Sequence, residues 1–395
     1  MKKATRNHTK FHNRSLLLST IYKEGEISRA DLSRATRLTK TTVSSIVSDL
    51  IAEELVEETG RGPSEGGKPP VLLGIVDDSR HLIGLDLANS EFRGGVIDLR
   101  GKILHRVSMP LQNQNGRLAL ERVYELADAL LAQVTSPLLG IGIGSPGLLD
   151  ARAGVVRQAV NLDWEDLPLR DLLQSRYKVP VYIANDSHAA ALGEYTFGPD
   201  RGSDNLIVVK VGRGTSAGIV LNGRLHYGDG SGAGEIGHVR VMDGGILCSC
   251  GHTGCLETVA STRAILEKAR AVFTNDPQSA IHKFVETVDE ISTDTVLLAF
   301  NEGDTAISQI IEDVGYYLGN ALANLIGAIN IQNIVIAGSI ARFGRPLIDA
   351  IQKQLRISAM WTLAAESNII PSELGQDIVM LGAASLLLSN ELGVT

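Results

Sequence analysis

Apolar residues recur at helical spacing through the first fifty positions, and past position 80 they gather into short solid runs. "NRSLLLSTIYKEG" (13–25) reads as a short amphipathic helix ended by Gly25. "SRADLSRAT" predicts a second helix, with Ser28 as N-cap and Ala30, Leu32 and Ala35 available for packing. A third follows in "TKTTVSSIVSDLIAEELV", capped by Thr39. Its Val43, Ile46, Val47, Leu50 and Ile51 are spaced 3, 1, 3, 1, a single apolar stripe. The opposite face at its start carries Lys40, Thr41, Thr42, Ser44, Ser45 and Ser48, small donors with one cation and no acid. That suits the leading turns of a helix that enters a DNA major groove. "VEETGRGPSEGGKPPVLLGI" then pairs two β-prone ends around a Gly/Pro-rich tip bearing Arg61 and Lys68, the pattern of a wing. With Arg29 at the head of the second helix, Lys40, Thr41, Thr42, Ser44, Ser45, Arg61 and Lys68 are the candidate DNA contacts.

Beyond the head, one pattern is used twice. "LIGLDLANSEFRGGVIDLRGKIL" (82–104) and "LIVVKVGRGTSAGIVLNGRLH" (206–226) each give an apolar strand, a small-residue turn, a second strand, a tight turn and a third short strand. Helical and β-α material follows each: "RLALERVYELADALLAQV" before "LLGIGIGSPG", and "TRAILEKARAVF" before "NIVIAGSI". The repeat predicts an α/β protein with two similar lobes facing a cleft. The expected domains are 1–78 (winged helix-turn-helix), 79–197 (first lobe) and 198–395 (second lobe), the last helix being free to pack back on the first lobe.

Charge sharpens the division of labour. Residues 1–40 hold ten Lys or Arg against three acids, while the whole chain carries −8. A basic head on an acidic body points to a polyanion partner for the head alone. Residues 1–70 carry only +3, so operator binding is expected to need a homodimer or higher assembly that adds a second half-site. No run of about 18 apolar residues is present and the first residues lack a secretion signal, so no membrane partner and a cytoplasmic location are expected.

The three cysteines, Cys248, Cys250 and Cys255, fall within eight residues, in "CSCGHTGC". In a reducing compartment such a cluster is a metal site sooner than a disulfide framework. Zinc takes four N or S ligands in a closed tetrahedron when structural, and three thiolates on a Gly-containing loop supply most of that. His252, inside the loop, is one possible fourth ligand.

The order of motifs resembles the ROK family of repressors and sugar kinases over nearly the whole chain. Residues 82–104 are similar to its first phosphate motif, "GIGIGSPGLLD" to its Pro-Gly loop and "VPVYIANDSHAAALGEYTFG" to its Asn-Asp helix. "GAGEIGH" is similar to its Glu-x-Gly-His turn, and "CSCGHTGCLE" to its cysteine signature. The resemblance implies two ribonuclease-H-like (actin-like ATPase) lobes behind the winged helix, a head that the family's repressors carry and its sugar kinases normally lack. It implies His238 as the fourth ligand of a structural Zn2+. It also implies a monosaccharide site of Asn185, Asp186, Glu235, His238 and Glu257, with Gly147 and Asn161 as further contributors. Carboxylates and amides that donate and accept in pairs suit vicinal hydroxyls, and xylose, glucose or an N-acetyl sugar would each fit this ring.

Asp186 takes the position where family kinases keep the general base. The phosphate seats, however, look eroded. The first turn reads "DLANS" (86–90), with Ala88 for glycine and Ser90 for threonine. The second reads "GRGTSAG" (212–218), with Arg213, Ser216 and Ala217 crowding the nucleotide, and "VIAGSI" keeps only Gly338 of a glycine run. The chain is therefore expected to be a non-catalytic, sugar-responsive repressor of a sugar-utilisation operon. Sugar entering the cleft would close the lobes, change the spacing between heads and release DNA. The alternatives are a sugar kinase with an appended head, and a body that binds a sugar-transport protein.

Overall fold

Helix α1 (Arg6–Glu24) leads through Gly25 into a two-residue strand, β1 (Ile27–Ser28), and a short helix, α2 (Arg29–Thr36). In this computed structural model, which describes residues 6–63, 69–88, 90–112, 114–199 and 203–394, both expected N-caps form. The Ser28 hydroxyl accepts the Asp31 N–H, and the Thr39 hydroxyl accepts the Thr42 N–H at the start of α3 (Lys40–Ala52). Val43, Ile46, Val47 and Leu50 are buried, and Ile51 is half-buried at the stripe's edge. Ala30 and Ala35 do not pack as the sequence suggested. Both are exposed, and Leu32 alone of α2 is buried, because an eight-residue helix anchored by one leucine turns its methyl side chains to solvent. Strands β2 (Val56–Arg61) and β3 (Val71–Ile75) pair antiparallel and complete a sheet of order β1-β3-β2, a winged helix-turn-helix.

The chain divides into two compact units. One comprises residues 1–147, 151–184 and 383–395, and the other residues 148–150 and 185–382. In the first, β4 (His81–Leu87), β5 (Glu91–Ile97) and β6 (Ile103–Pro110) form an antiparallel meander. After α4 (Gly116–Leu131), β7 (Leu138–Ser145) returns parallel to β4. The short strands β8 (Leu148–Asp150), β9 (Val155–Ala159) and β10 (Trp164–Leu167), with α5 (Leu169–Tyr177), lead to β11 (Val181–Asn185). The sheet order is β11-β7-β4-β5-β6.

The second unit repeats this order. Helix α6 (Asp186–Phe197) precedes β12 (Leu206–Val211), β13 (Thr215–Leu221) and β14 (Arg224–Leu225). Helices α7 (Thr262–Asn275), α8 (Thr293–Asn301) and α9 (Thr305–Ile329) lead to β15 (Asn333–Gly338), which lies parallel to β12. Helices α10 (Gly344–Ser358) and α11 (Trp361–Glu366) lead to β16 (Asn368–Pro371), and the sheet order is β14-β13-β12-β15-β16. Ile207, Val209, Val211 and Ile336 of this sheet pack with Leu318 and Leu322 of α9 in one apolar core. The chain then leaves the second unit within helix α12 (Ile378–Leu387).

The head is built into the first unit by a polar clasp over an apolar seam. The Tyr22 hydroxyl donates to the Leu99 carbonyl (2.8 Å), and the Arg100 guanidinium lies 4.4 Å over the Tyr22 ring and donates to the Tyr22 carbonyl (2.6 Å). The Ser19 hydroxyl donates to the Val394 carbonyl (3.3 Å). Beneath these bonds Leu18, Leu55, Ile75, Leu99, Leu388 and Leu392 close round one small apolar pocket. Among the described residues, no helix is long and apolar enough to cross a membrane.

Candidate functional site

The turn from β11 into α6 places Asn185 and Asp186 at a strand's carboxyl end. Asn185 is the N-cap: its side-chain oxygen accepts the Ser187 N–H (2.8 Å) and hydroxyl (2.6 Å). Asp186 is half-buried, and its Oδ2 accepts from the Lys210 ammonium of β12 at 2.7 Å. One turn into α6, His188 is buried with Nε2 2.9 Å from the Ala233 carbonyl and its ring edge-on to Tyr227. Burial holds His188 below the ordinary histidine range, partly offset by that carbonyl and by the Asp186 charge.

Residues 234–238 follow the outer edge of β13 so closely that the Ala217 N–H donates to the Gly234 carbonyl (2.7 Å). At Gly237 any Cβ would overlap the Thr215 carbonyl, hence the glycine in "GEIGH". This brings Glu235 and His238 to the second phosphate-like turn. The strand bridge between Arg240 and Cys255 and the Leu256 N–H to Val239 carbonyl bond (2.9 Å) then return the cysteine loop to the same place. Gly254, at φ 78°, sits against the Met242 carbonyl, where a side chain has no room.

Within that loop the ligand atoms of His238, Cys248, Cys250 and Cys255 all lie within 4.8 Å of one another. Cys248 Sγ is 3.5 Å from His238 Nδ1, and Cys250 Sγ is 3.6 Å from Cys255 Sγ. A tetrahedral ion with N and S ligands has edges of about 3.5–3.8 Å, so the donor set fits a closed four-ligand metal site. Burial and the neighbouring sulfurs push the Cys255 thiol up to about 12, so its thiolate calls for a cation. His252 Nδ1 is 3.6 Å from Cys250 Sγ but stands outside the four-residue group.

Glu257 lies two residues after Cys255, and its Oε2 accepts the Thr215 N–H (3.2 Å) at the second turn. Glu235 is reachable by solvent, yet the atoms packed round its carboxyl displace enough water to raise its pKa. Asp186 and Glu257 add to that rise and His238 opposes it. Asp186, His238 and Glu257 thus all act on the Glu235 carboxyl, and Asn185 adjoins Asp186 in the chain. Gly147 and Asn161 belong to the other unit, where Asn161 is exposed. An open groove of about 990 Å3 in that unit, lined by Arg170, Lys178, Tyr182 and Glu391, contains none of the expected sugar residues.

On the head, Lys40, Thr41, Ser44 and Ser45 are exposed on α3, and Thr42 is half-buried with its hydroxyl 2.9 Å from the Thr39 hydroxyl. Arg29 pairs with Glu58 of the wing (3.0 Å), Arg61 is exposed, and Lys68 lies outside the described residues. Two charged partners escaped the sequence pattern: Lys210 on Asp186, and Arg93, which holds the buried Asp86 at 2.7 Å across the β4–β5 pair.

A winged helix-turn-helix joined to two α/β units of one repeated sheet order defines a DNA-binding head on an actin-like, sugar-kinase-type body. Two family models match in that arrangement, MarR over residues 12–65 and ROK over residues 82–390. The chain belongs to the ROK family. It is 32% identical to the xylose repressor of Caldicellulosiruptor bescii over 98% of each chain. It is 33% identical to a glucokinase of Halalkalibacterium halodurans, over 79% of this chain and 96% of that one. The crystal structure of a ROK family transcriptional regulator, a homologue of the E. coli MLC protein, superposes with a TM-score of 0.84 at 28% identity over 98% of each chain.

Proposed function

We propose that this chain is a sugar-responsive transcriptional repressor of a sugar-utilisation operon, acting in the cytoplasm as a dimer on a two-fold symmetric operator. What carries this is the union, in one chain, of an acid-free polar face over the first turns of α3 with the Asn185–Asp186–Glu235–His238–Glu257 constellation. A repressor relative aligned from end to end supports it, and makes a pentose such as D-xylose the first effector to try. The His238, Cys248, Cys250 and Cys255 cluster holds a structural zinc, which locks the Glu235–His238 turn to the strand leading into Glu257. Sugar seated against that braced turn favours the state with low operator affinity. A near-complete switch needs about 5 kcal/mol of differential binding, within reach of several charge-assisted hydrogen bonds.

The rival is an active sugar kinase with a DNA-binding head, favoured by the glucokinase relative. Three contacts weigh against it. Asp86, in the turn resembling the first phosphate motif, is neutralised by Arg93, where phosphoryl transfer needs metal-bound phosphate. Lys210 engages Asp186, and Glu257 already takes the Thr215 N–H of the second turn. The deciding experiment measures binding of the full chain to its own promoter DNA by fluorescence anisotropy, with and without each sugar of a panel. Loss of binding with one sugar is expected. Turnover of ATP and sugar to sugar phosphate at about 1 per second, an ordinary enzyme rate, would sink the repressor-only function.

A further inference from the structure

Strand β12 is apolar except at one position. In Leu206–Val211 five residues are buried and aliphatic, and the sixth is Lys210. A lysine here is costly to keep ionised unless something answers its charge. What answers it is Asp186, 2.7 Å away on the first turn of α6, with both side chains about one-fifth exposed. The ammonium also stands beside Gly212, 3.7 Å from where a Cβ on that residue would be, and so lies between the Asp186 carboxylate and the second turn. Its backbone is fixed on both sides, opposite Ser216 of β13 and opposite Ala337 of β15. The ion pair is thus set by the sheet and not by a mobile loop.

We propose that Lys210 is a positioning residue of the sugar site. Its ammonium occupies Asp186 Oδ2 and fixes the orientation of that carboxylate, which is thereby aimed at a sugar hydroxyl. The ligand class this selects is a neutral polyol with vicinal hydroxyls: Asp186, Glu235 and Glu257 gather negative charge, and the one cation that β12 brings to them is already committed to Asp186. The assignment rests on the sugar-binding function proposed above.

The test is calorimetric titration of D-xylose and of D-glucose into the full chain, with four variants. The wild type is expected to bind one of the two sugars. Lys210→Met should weaken that binding by about tenfold or more, as when one partner of a buried charged pair is removed. Lys210→Arg, which keeps the charge and the reach, should stay within about threefold. Asp186→Asn should weaken binding by itself, and Lys210→Met added to it should change affinity by less than about twofold, because the two residues act as one unit. Full additivity of the two substitutions, or a Lys210→Met variant that binds sugar like the wild type, would overturn the proposal. If Lys210→Met does not fold, Lys210→Gln, which keeps a donor and loses the charge, takes its place in the same cycle. A wild type that binds neither these sugars nor any other of the panel overturns the sugar-binding function itself, and is seen before any variant is made.

Discussion

His188 shows how a single buried side chain sets a pH limit. Burial lowers its pKa in the folded unit, with the Ala233 carbonyl and Asp186 raising it and His226 lowering it further. In the unfolded chain a histidine titrates near about 6.5. The folded state thus binds the proton less readily, so the contribution is full above that value and is lost as pH falls through about 6.5 toward the folded pKa. Urea midpoints measured between pH 7.5 and 5.5 are expected to fall on acidification, and His188→Gln should flatten that slope. The proposed metal ligands make a second test at this scale. His252→Ala should keep one zinc per chain by elemental analysis, whereas His238→Ala or Cys250→Ser should lose it and lower the melting temperature. Retention of zinc by His238→Ala, with its loss from His252→Ala, would assign the fourth ligand to His252.

At the scale of elements, α3 and the clasp carry separate tasks. Lys40 is exposed at the first turn of α3 and takes no part in the helix's own packing. Lys40→Ala should therefore weaken operator binding and reduce the salt slope by about 1, with the melting temperature unchanged. Thr42→Ala is a poorer probe, because Thr42 also touches the capping Thr39 hydroxyl. The clasp behaves oppositely. Arg100 bonds the Tyr22 carbonyl and Asp77 (3.1 Å) while covering the Tyr22 ring. Arg100→Ala should cost about 1.5–3 kcal/mol, the range for hydrogen bonds to charged groups. Its clearest sign should be faster limited proteolysis of the segment joining β3 to β4. Unchanged cleavage would mean that the apolar seam alone holds the head.

For the whole molecule, charge and assembly decide DNA affinity. A chain of −8 whose first 70 residues carry only +3 gains little from long-range attraction, so two heads are expected to share one operator. Sedimentation at micromolar concentration is expected to give about twice the 42.2 kDa chain mass. Operator affinity should fall about 10³-fold or more between 50 and 200 mM salt if six or more phosphates are contacted. A monomer with full affinity would contradict the dimeric proposal.

The amino-acid sequence determined whatever local rules govern. Ser28 and Thr39 cap their helices because a side-chain oxygen needs only its own next turn, and the α3 stripe is read directly from its spacing. The two meanders follow from hairpin turns, and the three cysteines of the candidate metal cluster were legible from their spacing, whereas His238 came from the family resemblance. Tertiary structure alone decided which distant charges meet. Lys210, inside "LIVVKV", is 24 residues from Asp186 and looks like a strand's solvated end. Arg93 finds Asp86 only through cross-strand register, and Ser19 finds Val394 across 375 residues. Periodicity reveals which face of an element is buried; the partner of a half-buried charge depends on how separate elements pack, and that information is spread over the whole chain.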